Sequence, residues 1–317
     1  MFRYLQMLIN FIYTNYVSMS CIIPHIIQYQ GSKRILAPQI LPFMPFKFNR
    51  LLEPFAGMAA ITIAVAKEHR AKEYFINDIN GPIVSILEKA INKPAELTNS
   101  YSKIWSEQFE FYPDDISHFY YIRDCFNNGD KTPENMLYLL ARCVKGSVRY
   151  GKNGNFNQSP DKRRHGSNPD KISNNVHAIS NLLKGKAHLS SVDYREILTL
   201  SKPGDLVYMD PPYQGVSKTR DKRYIAGLDY QEFVDSIEFL DHKGIDYLIS
   251  YDGICGGIKY GSELPGHLNC KKILLDAGLS TQSTLLGKRN LTYEALYISK
   301  NLYPYIEQNQ RRSSLFN

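Results

Sequence analysis

The sequence has no Cys-x-x-Cys pair, and its five cysteines are scattered along 317 residues. Such a set argues against a zinc site and a disulfide framework, and it points to a reducing, cytoplasmic compartment. No apolar run reaches the roughly 18 residues that a membrane-spanning helix needs, so we expect no membrane partner. Internal repeats and low-complexity segments are also missing. What is present is a hydrophobic fraction of 43%, typical of a globular chain, and a net charge of +7.

The first 18 residues lack the cationic flank and the small-residue cleavage site of a secretory signal. They are apolar but interrupted by polar side chains. Two interpretations remain, a short helix lying on the domain and an upstream extension translated before a second candidate start at Met19. We favour the second and treat residues 1–18 as an N-terminal extension.

The chain also lacks Gly-x-Gly-x-x-Gly, the pattern that accommodates a dinucleotide pyrophosphate. It does contain a predicted β-α-β unit over residues 50–77, with Gly57 in the first turn and Asp78 directly after the second strand. In nucleotide-binding folds, a carboxylate about 20 residues beyond the glycine turn binds ribose hydroxyls. A ligand with a ribose and no phosphate fits this unit. A helix N-cap or a turn is an equally good interpretation of Asp78 taken alone.

From residue 95 to residue 185 the strand signals fade and helical patterns predominate, with predicted helices over 96–109, 116–126 and 133–144. Between residues 142 and 171 the sequence carries eight Lys and Arg against two Asp, which is most of the net charge of the chain. Positive side chains bind phosphates, and Arg and Asn side chains read base edges. A solvated surface loop is the alternative. The concentration of charge in one Gly- and Asn-rich tract favours binding of nucleic acid.

After residue 186 the alternation of strands and helices returns, and an apolar strand over Leu206–Met209 runs into Asp210-Pro211-Pro212-Tyr213. The prolines end the strand, because neither can donate a ladder hydrogen bond and both fix φ. In open α/β sheets, ligands bind at the carboxyl ends of the strands. A carboxylate, two carbonyl groups and an aromatic ring are therefore held at a predicted binding edge.

Four short motifs follow one another in the order Tyr29-Gln30-Gly31-Ser32-Lys33, Glu53-Pro54-Phe55-Ala56-Gly57, Asn77-Asp78-Ile79-Asn80 and Asp210-Pro211-Pro212-Tyr213. With the basic, helical stretch between the third and the fourth, this arrangement resembles the Dam-type (alpha-group) adenine-N6 DNA methyltransferases from about residue 26 to residue 299. Two positions depart from the family pattern. Ser32 replaces a frequent glycine, and Ala59 stands where the loop usually carries its second glycine.

The resemblance implies an α/β fold, a Rossmann-like class I methyltransferase sheet with an inserted, mostly helical DNA-recognition domain. Residues 19–94 would form the cofactor-binding part and residues 186–302 the catalytic part of the methyltransferase domain. Residues 95–185 would form the DNA target-recognition insert, and residues 303–317 a polar, frayed tail.

The resemblance also implies a function, the transfer of a methyl group from S-adenosyl-methionine to the N6 amino group of adenine in a flipped-out base of double-stranded DNA. The implied catalytic residues are Asp210, Pro211, Pro212 and Tyr213. The implied cofactor-binding residues are Tyr29, Lys33, Glu53, Phe55, Gly57, Asp78 and Asp210, with Asp78 at the ribose hydroxyls and Lys33 at the methionine carboxylate. The candidate DNA-binding residues are Arg149, Lys152, Asn153, Asn155, Asn157, Arg163, Arg164, Lys218 and Arg220. Asp193 is a second-tier candidate near the cofactor.

The predicted catalytic residues suit this chemistry. The exocyclic nitrogen of adenine is a poor nucleophile, because its lone pair is delocalised into the ring. Asp210 and the main-chain carbonyl of Pro211 can accept hydrogen bonds from its two N–H groups and so free the lone pair, and Tyr213 offers a face for stacking. Flipping the base costs a few kcal/mol, which phosphate contacts can offset.

Several alternatives are weighed against this function. A cytosine-C5 enzyme is discarded because the chain has no Pro-Cys pair. A cytosine-N4 enzyme more often has serine in place of Asp210, and an RNA amino-methyltransferase more often has asparagine there. A catalytically inactive DNA-binding relative remains the non-enzymatic alternative. We expect a monomer on DNA. The sequence leaves open the recognition site and a restriction endonuclease as partner.

Overall fold

A computed structural model of the protein describes residues 23–110, 115–212, 228–255, 258–279 and 291–314. Tyr213, Lys218, Arg220 and the proposed extension over residues 1–18 lie outside these ranges. Within them, no helix has the length and apolar character needed to cross a membrane.

One mixed sheet organises the fold. Its strands are β1 Arg50–Glu53, β2 Glu73–Asn77, β3 Ala187–Ser190, β4 Leu206–Met209, β5 Asp246–Cys255, β6 Ile258–Tyr260, β7 Cys270–Leu279 and β8 Leu291–Ser299. They are arranged in the order β3-β2-β1-β4-β5-β8-β7, and β6 pairs with β5 outside this path. The pairs from β3 to β5 are parallel, while β8 runs antiparallel to β5 and β7. This confirms the predicted mixed α/β sheet, and its order is consistent with a methyltransferase fold.

The central strands are buried on both faces, which explains their nearly continuous apolar sequences. All four residues of β4 are buried. Tyr208 belongs to the apolar cluster on one face of the sheet, and Val207 and Met209 belong to the cluster on the other. Leu51 and Leu52 of β1 divide in the same way, as the two-residue period of a strand requires.

The helices are α1 Ala37–Ile40, α2 Ala60–Lys67, α3 Gly81–Asn92, α4 Pro94–Glu110, α5 Asp115–Asn127, α6 Pro133–Arg142, α7 Pro169–Leu183, α8 Tyr194–Thr199, α9 Tyr230–Lys243 and α10 Tyr303–Ser314. Short 3-10 turns cover Leu41–Phe43, Val144–Gly146 and Lys300–Leu302. Helices α4 to α7 lie between β2 and β3 in the sequence, where a helical insert is predicted. Their apolar side chains share one continuous cluster with a face of the sheet. A separate recognition domain over residues 95–185 stays a prediction.

Two elements differ from the sequence predictions. Helix α7 was not predicted, although Asn168 caps it by accepting hydrogen bonds from the amides of Asp170 and Lys171, and Pro169 is its first residue. Its buried residues recur with a helical period. The polar tail expected from residue 303 is helical over Tyr303–Ser314, because Ile306 is buried in the core of the domain.

The order of the strands creates a ligand-binding edge. From β1 the chain proceeds to β2 and β3 on one side, and then returns to place β4 on the other side. The carboxyl ends of β1 and β4 therefore flank the point where the strand order reverses, which is where open α/β sheets bind ligands. Glu53 and Asp210 stand at these two ends.

Candidate active site

A cavity of about 530 Å³ opens at this edge of the sheet, a volume suited to a small organic ligand. All seven predicted cofactor residues line it, although the sequence spreads them from residue 29 to residue 210. Asp210 is also a predicted catalytic residue, and the predicted catalytic residues Pro211 and Pro212 line the cavity as well. The fold therefore brings the four sequence motifs into one enclosure.

Asp78 links two of the turns around the cavity. Its Oδ2 accepts a hydrogen bond from the amide of Gly57 at 2.8 Å, and its Oδ1 accepts one from the amide of Asn80 at 2.9 Å. Burial raises the pKa of Asp78, and the two amide donors act in the opposite direction. Asn80, not Asp78, is the N-cap residue of α3. Asp78 thus stabilises the turns and also lines the cavity, and its contact with a ribose stays a prediction.

The glycine turn is held tightly against Tyr29. Gly57 has a φ of +50°, and a Cβ at this position would lie 3.1 Å from the ring of Tyr29. Ala59, which replaces the second glycine of the family pattern, has a φ of +54° in the left-handed region. This conformation favours glycine, which gives a physical reason for the usual residue at this position.

Glu53 is buried at the end of β1 and contacts the helix that follows it. Its Oε2 accepts hydrogen bonds from the amide of Thr62 at 3.0 Å and from the hydroxyl of Thr62 at 2.5 Å. Burial raises the pKa of Glu53 to about 8, and the nearby charge of Asp210 acts in the same direction. The carboxyl group therefore carries a proton at neutral pH.

This protonation predicts a pH dependence of stability. Folded Glu53 binds its proton more tightly than the unfolded chain does, so its contribution is complete below pH 4.5 and is lost as the pH rises through about 8. We expect the free energy of unfolding of the wild type to fall over this window relative to that of Glu53→Gln, by an amount on the order of a few kcal/mol. Denaturant unfolding of both proteins from pH 5 to pH 9 measures the difference. Parallel curves would contradict the buried, protonated state.

Asp210 is held by an ion pair that also reaches a distant strand. The ammonium of Lys33 lies 3.0 Å from Oδ1 of Asp210 and 3.1 Å from Oε2 of Glu294 on β8. The Lys33 side chain is 6% exposed. Sequence reasoning assigned Lys33 to the methionine carboxylate, and that role stays a prediction. Glu294 was not identified from the sequence, because it lies in none of the four motifs. Only the pairing of β5 with β8 brings this residue to the site.

The end of β4 is joined to β5 by a contact between two side chains. The buried hydroxyl groups of Tyr208 and Ser250 lie 2.8 Å apart and join β4 to β5. Pro211 is buried, and Pro212 is half-buried. The carboxylate of Asp210 therefore projects from a backbone with little freedom to move, as a preorganised acceptor requires.

Tyr194 and Asp193 line another wall of the cavity. The ring of Phe55 packs on that of Tyr194, with 4.9 Å between the centroids. Asp193 caps α8 by accepting from the amide of Arg195 at 2.9 Å, and it pairs with the guanidinium of the same residue at 2.8 Å. The hydrogen bond from Arg195 lowers the pKa of Asp193. Asp193 is therefore ionised and lines the cavity, and its contact with a cofactor stays a prediction.

Asn77 is a positioning residue that sequence reasoning missed, although it belongs to a quoted motif. Its Nδ2 donates to the carbonyls of Pro54 and Val192, both at 3.0 Å. Its Oδ1 accepts from the hydroxyl of Ser190 at 2.8 Å and from the amide of Val192 at 3.0 Å. Every hydrogen-bonding position of the side chain is used. Asn77 thereby ties the turn after β1 to the turn after β3, and both turns line the cavity.

The candidate DNA-binding residues between β2 and β3 in the sequence are exposed, and five of them lie on one loop. Residues 149–157 form a hairpin, in which Tyr150 pairs with Phe156 and the amide of Gly151 donates to the carbonyl of Asn155 at 2.7 Å. The exposed candidates on this hairpin are Arg149, Lys152, Asn153, Asn155 and Asn157. Arg163 and Arg164 are also exposed, beyond the hairpin.

Arg142 is not one of these exposed side chains, although it contributes to the positive charge of residues 142–171. Its side chain is 1% exposed, and its guanidinium donates to the carbonyls of Asp161 and Arg164. Its Nε donates to Gln108 at 3.3 Å. Arg142 therefore fixes the path of residues 161–164 from inside, and charge counting alone does not separate this role from phosphate binding.

Comparison with known proteins identifies the family. Residues 29–278 match the model of the D12 class N6 adenine-specific DNA methyltransferases. The chain is 27% identical to the type II methyltransferase M1.LlaDCHI of Lactococcus lactis subsp. cremoris, over 70% of this chain and 79% of that protein. It is 25% identical to the retron Ec67 DNA adenine methylase of Escherichia coli, over 71% and 76% of the two chains. It is also 25% identical to the type II methyltransferase M.MjaIII of Methanocaldococcus jannaschii, over 71% and 82%. The matched residues include the whole described cavity, and the chain belongs to the D12 class of adenine-specific DNA methyltransferases (EC 2.1.1.72), which act on the N6 position.

Proposed function

We propose that the cavity binds S-adenosyl-methionine and that Asp210 prepares the target adenine beside it. The observation that carries this proposal is the single enclosure that holds Asp78, Glu53, Phe55 and Asp210. The donor set fits this cofactor, because it combines an acidic residue for ribose hydroxyls, an aromatic ring and no glycine-rich phosphate loop. When bound, the cofactor supplies an electrophilic methyl group.

The residues of the chain then have separate roles. Asp78 accepts hydrogen bonds from the ribose hydroxyls, and Tyr29, Lys33, Glu53, Phe55 and Gly57 surround the remainder of the cofactor. Asp210 and the carbonyl of Pro211 accept hydrogen bonds from the two N–H groups of the adenine amino group and so free its lone pair. The ion pair with Lys33 keeps the carboxylate of Asp210 in one orientation. Tyr213, outside the described residues, would stack on the flipped base.

The double-stranded DNA would contact the exposed basic and amide side chains of the insert, with the hairpin reaching towards base edges. Lys218 and Arg220 would add phosphate contacts after the catalytic motif. The family acts on DNA, and we propose that the insert is the part that selects the sequence. Two of the relatives are named type II methyltransferases and one is a retron methylase. The enzyme would therefore act either together with a restriction endonuclease of the same specificity or without one. Methylation-sensitive sequencing of DNA from cells that express the protein would identify the recognition site.

Binding of the cofactor tests the role of Asp78. We expect Asp78→Ala to raise the dissociation constant of S-adenosyl-methionine about 10- to 100-fold, because hydrogen bonds to a charged group are removed. Isothermal titration calorimetry measures this change. An analogue without the ribose hydroxyls separates direct contact from the structural role of Asp78 in the turns. The analogue should bind the wild type weakly, and Asp78→Ala should weaken its binding little further. Equal losses of affinity for both ligands on mutation would remove the proposed ribose contact.

A further inference from the structure

The hairpin that carries the candidate base-reading residues is connected at its root to the cofactor cavity. We call residues 144–150 the root segment, because they lead from α6 into the hairpin over residues 149–157. Val148 of this segment is 7% exposed and lines the cavity. One stretch of seven residues therefore faces the ligand cavity at one point and the exposed hairpin at the next.

The first contact of the root segment is with the Tyr29–Lys33 motif. Gly146 packs so closely on the backbone of Gln28 that a Cβ at Gly146 would lie 1.8 Å from the carbonyl oxygen of Gln28. The carbonyl of Gly146 accepts a hydrogen bond from the amide of Gln30 at 3.3 Å. Gln30 itself lines the cavity. The path of the root segment therefore limits where this wall of the cavity can lie.

The second contact is with the motif that carries Asp78. The hydroxyl of Tyr150 donates to Oδ1 of Asn80 at 3.0 Å, across 70 positions of sequence. Asparagine at an N-cap usually accepts from an amide of its own helix. Within the described part of the chain, Asn80 accepts from Tyr150 in place of such a cap at the start of α3. A common local interaction is thus replaced by one that joins the hairpin to the cavity.

The two ends of this contact lead directly to the functional groups. The amide of Asn80 donates to Oδ1 of Asp78, the residue proposed for the ribose. Tyr150 pairs with Phe156 across the hairpin, and their ring centroids lie 6.3 Å apart. Burial raises the pKa of Tyr150 to about 12, so its hydroxyl keeps its proton and remains a donor at neutral pH.

We propose that Tyr150 is a positioning residue through which the DNA-binding hairpin completes the cofactor cavity, so that S-adenosyl-methionine and DNA each strengthen the binding of the other. This inference rests on the proposed function of the cavity and the hairpin. Cofactor binding fixes the turn over Asp78–Asn80, and Asn80 then holds the hairpin through Tyr150. By linkage, ordering of the hairpin on DNA must raise cofactor affinity by the same factor.

The experiment measures the dissociation constant of S-adenosyl-methionine by calorimetry, with and without a duplex that contains the methylation site, for the wild type and Tyr150→Phe. Phenylalanine keeps the ring that packs on Phe156 and removes only the hydroxyl. We expect the variant to bind the cofactor about 3- to 10-fold more weakly without DNA, the effect of removing one hydrogen bond. We also expect the factor by which DNA strengthens cofactor binding to exceed about fivefold in the wild type and to approach one in the variant.

Two controls separate this role from general destabilisation. Lys152→Gln, at the exposed end of the hairpin, should weaken DNA binding but leave cofactor affinity without DNA and the coupling factor unchanged. Asn80→Ala should abolish the effect of a second Tyr150→Phe substitution, because the two residues form one hydrogen bond. Additive losses of affinity in the double variant, or an unchanged coupling factor in Tyr150→Phe, would overturn the inference. Failure of the wild type to bind S-adenosyl-methionine would instead overturn the proposed function itself.

Discussion

Asp210→Ala is expected to lower kcat for methyl transfer by at least about 10²- to 10³-fold, because one preorganised acceptor at the reacting nitrogen is removed. Lys33 keeps its partner Glu294 in this variant, so no buried ammonium is deprived of all its partners and the fold should survive. Dissociation constants for the cofactor and DNA should change much less than kcat. Single-turnover transfer of a labelled methyl group measures the chemical step. A variant that still transfers methyl groups at the rate of the wild type would exclude Asp210 as the acceptor.

The same strand provides a matched control. Asp205 directly precedes β4, as Asp210 directly follows it, and its buried carboxylate accepts from Nε of Arg50 at 3.0 Å. It lies at the edge of the sheet opposite the cavity. Asp205→Ala should lower the melting temperature because it leaves Arg50 without this partner, while the folded fraction keeps its kcat. A similar reduction of kcat in both variants would indicate a stability effect rather than chemistry.

Neutralising Arg163 and Arg164 together is expected to weaken DNA binding at 0.1 M salt by about tenfold for each phosphate that no longer has its cation. Both guanidinium groups are exposed, and Arg164 is oriented by Asp161 at 2.9 Å. The slope of the logarithm of affinity against the logarithm of salt concentration should decrease by about two if both residues bind phosphates. Fluorescence anisotropy with a labelled duplex, measured over a series of salt concentrations, tests both quantities.

A second pair of cations makes the charge comparison specific. Lys72 and Lys202 are exposed and precede β2 and β4, at the edge of the sheet opposite the cavity. Neutralising both lysines lowers the net charge of the chain by two, as neutralising Arg163 and Arg164 does. We expect little change in affinity and an unaltered salt slope. If both double variants behave alike, the long-range net charge rather than the insert determines DNA binding, and the role proposed for Arg163 and Arg164 is wrong.

Local patterns predicted much of the framework that carries the site. The predicted β-α-β unit over residues 50–77 agrees with β1, α2 and β2, and the predicted strand before Asp210 agrees with β4. Their apolar runs bounded by Pro and Gly are signals that reside within a few residues. Asp229 caps α9 by accepting hydrogen bonds from the amides of Gln231 and Glu232, an N-cap pattern that is also local in the sequence. In α7 the helical spacing of apolar residues is mixed with charged and Asn side chains, and this helix was not predicted from the sequence.

The sequence by itself determined the family, the order of its motifs and the residue types that the chemistry needs, because each of these is written in a short stretch of chain. Only the tertiary structure decided which of these residues meet. Strand pairing places Glu294 beside Lys33. The side chain of Arg142 is buried instead of exposed to DNA, and Tyr150 donates a hydrogen bond to Asn80, 70 positions away in the sequence. These contacts depend on the packing of distant elements and on the burial of polar groups that must find partners there. No local pattern encodes such a pairing, because the free energy of each contact arises only when elements distant in the sequence have packed together.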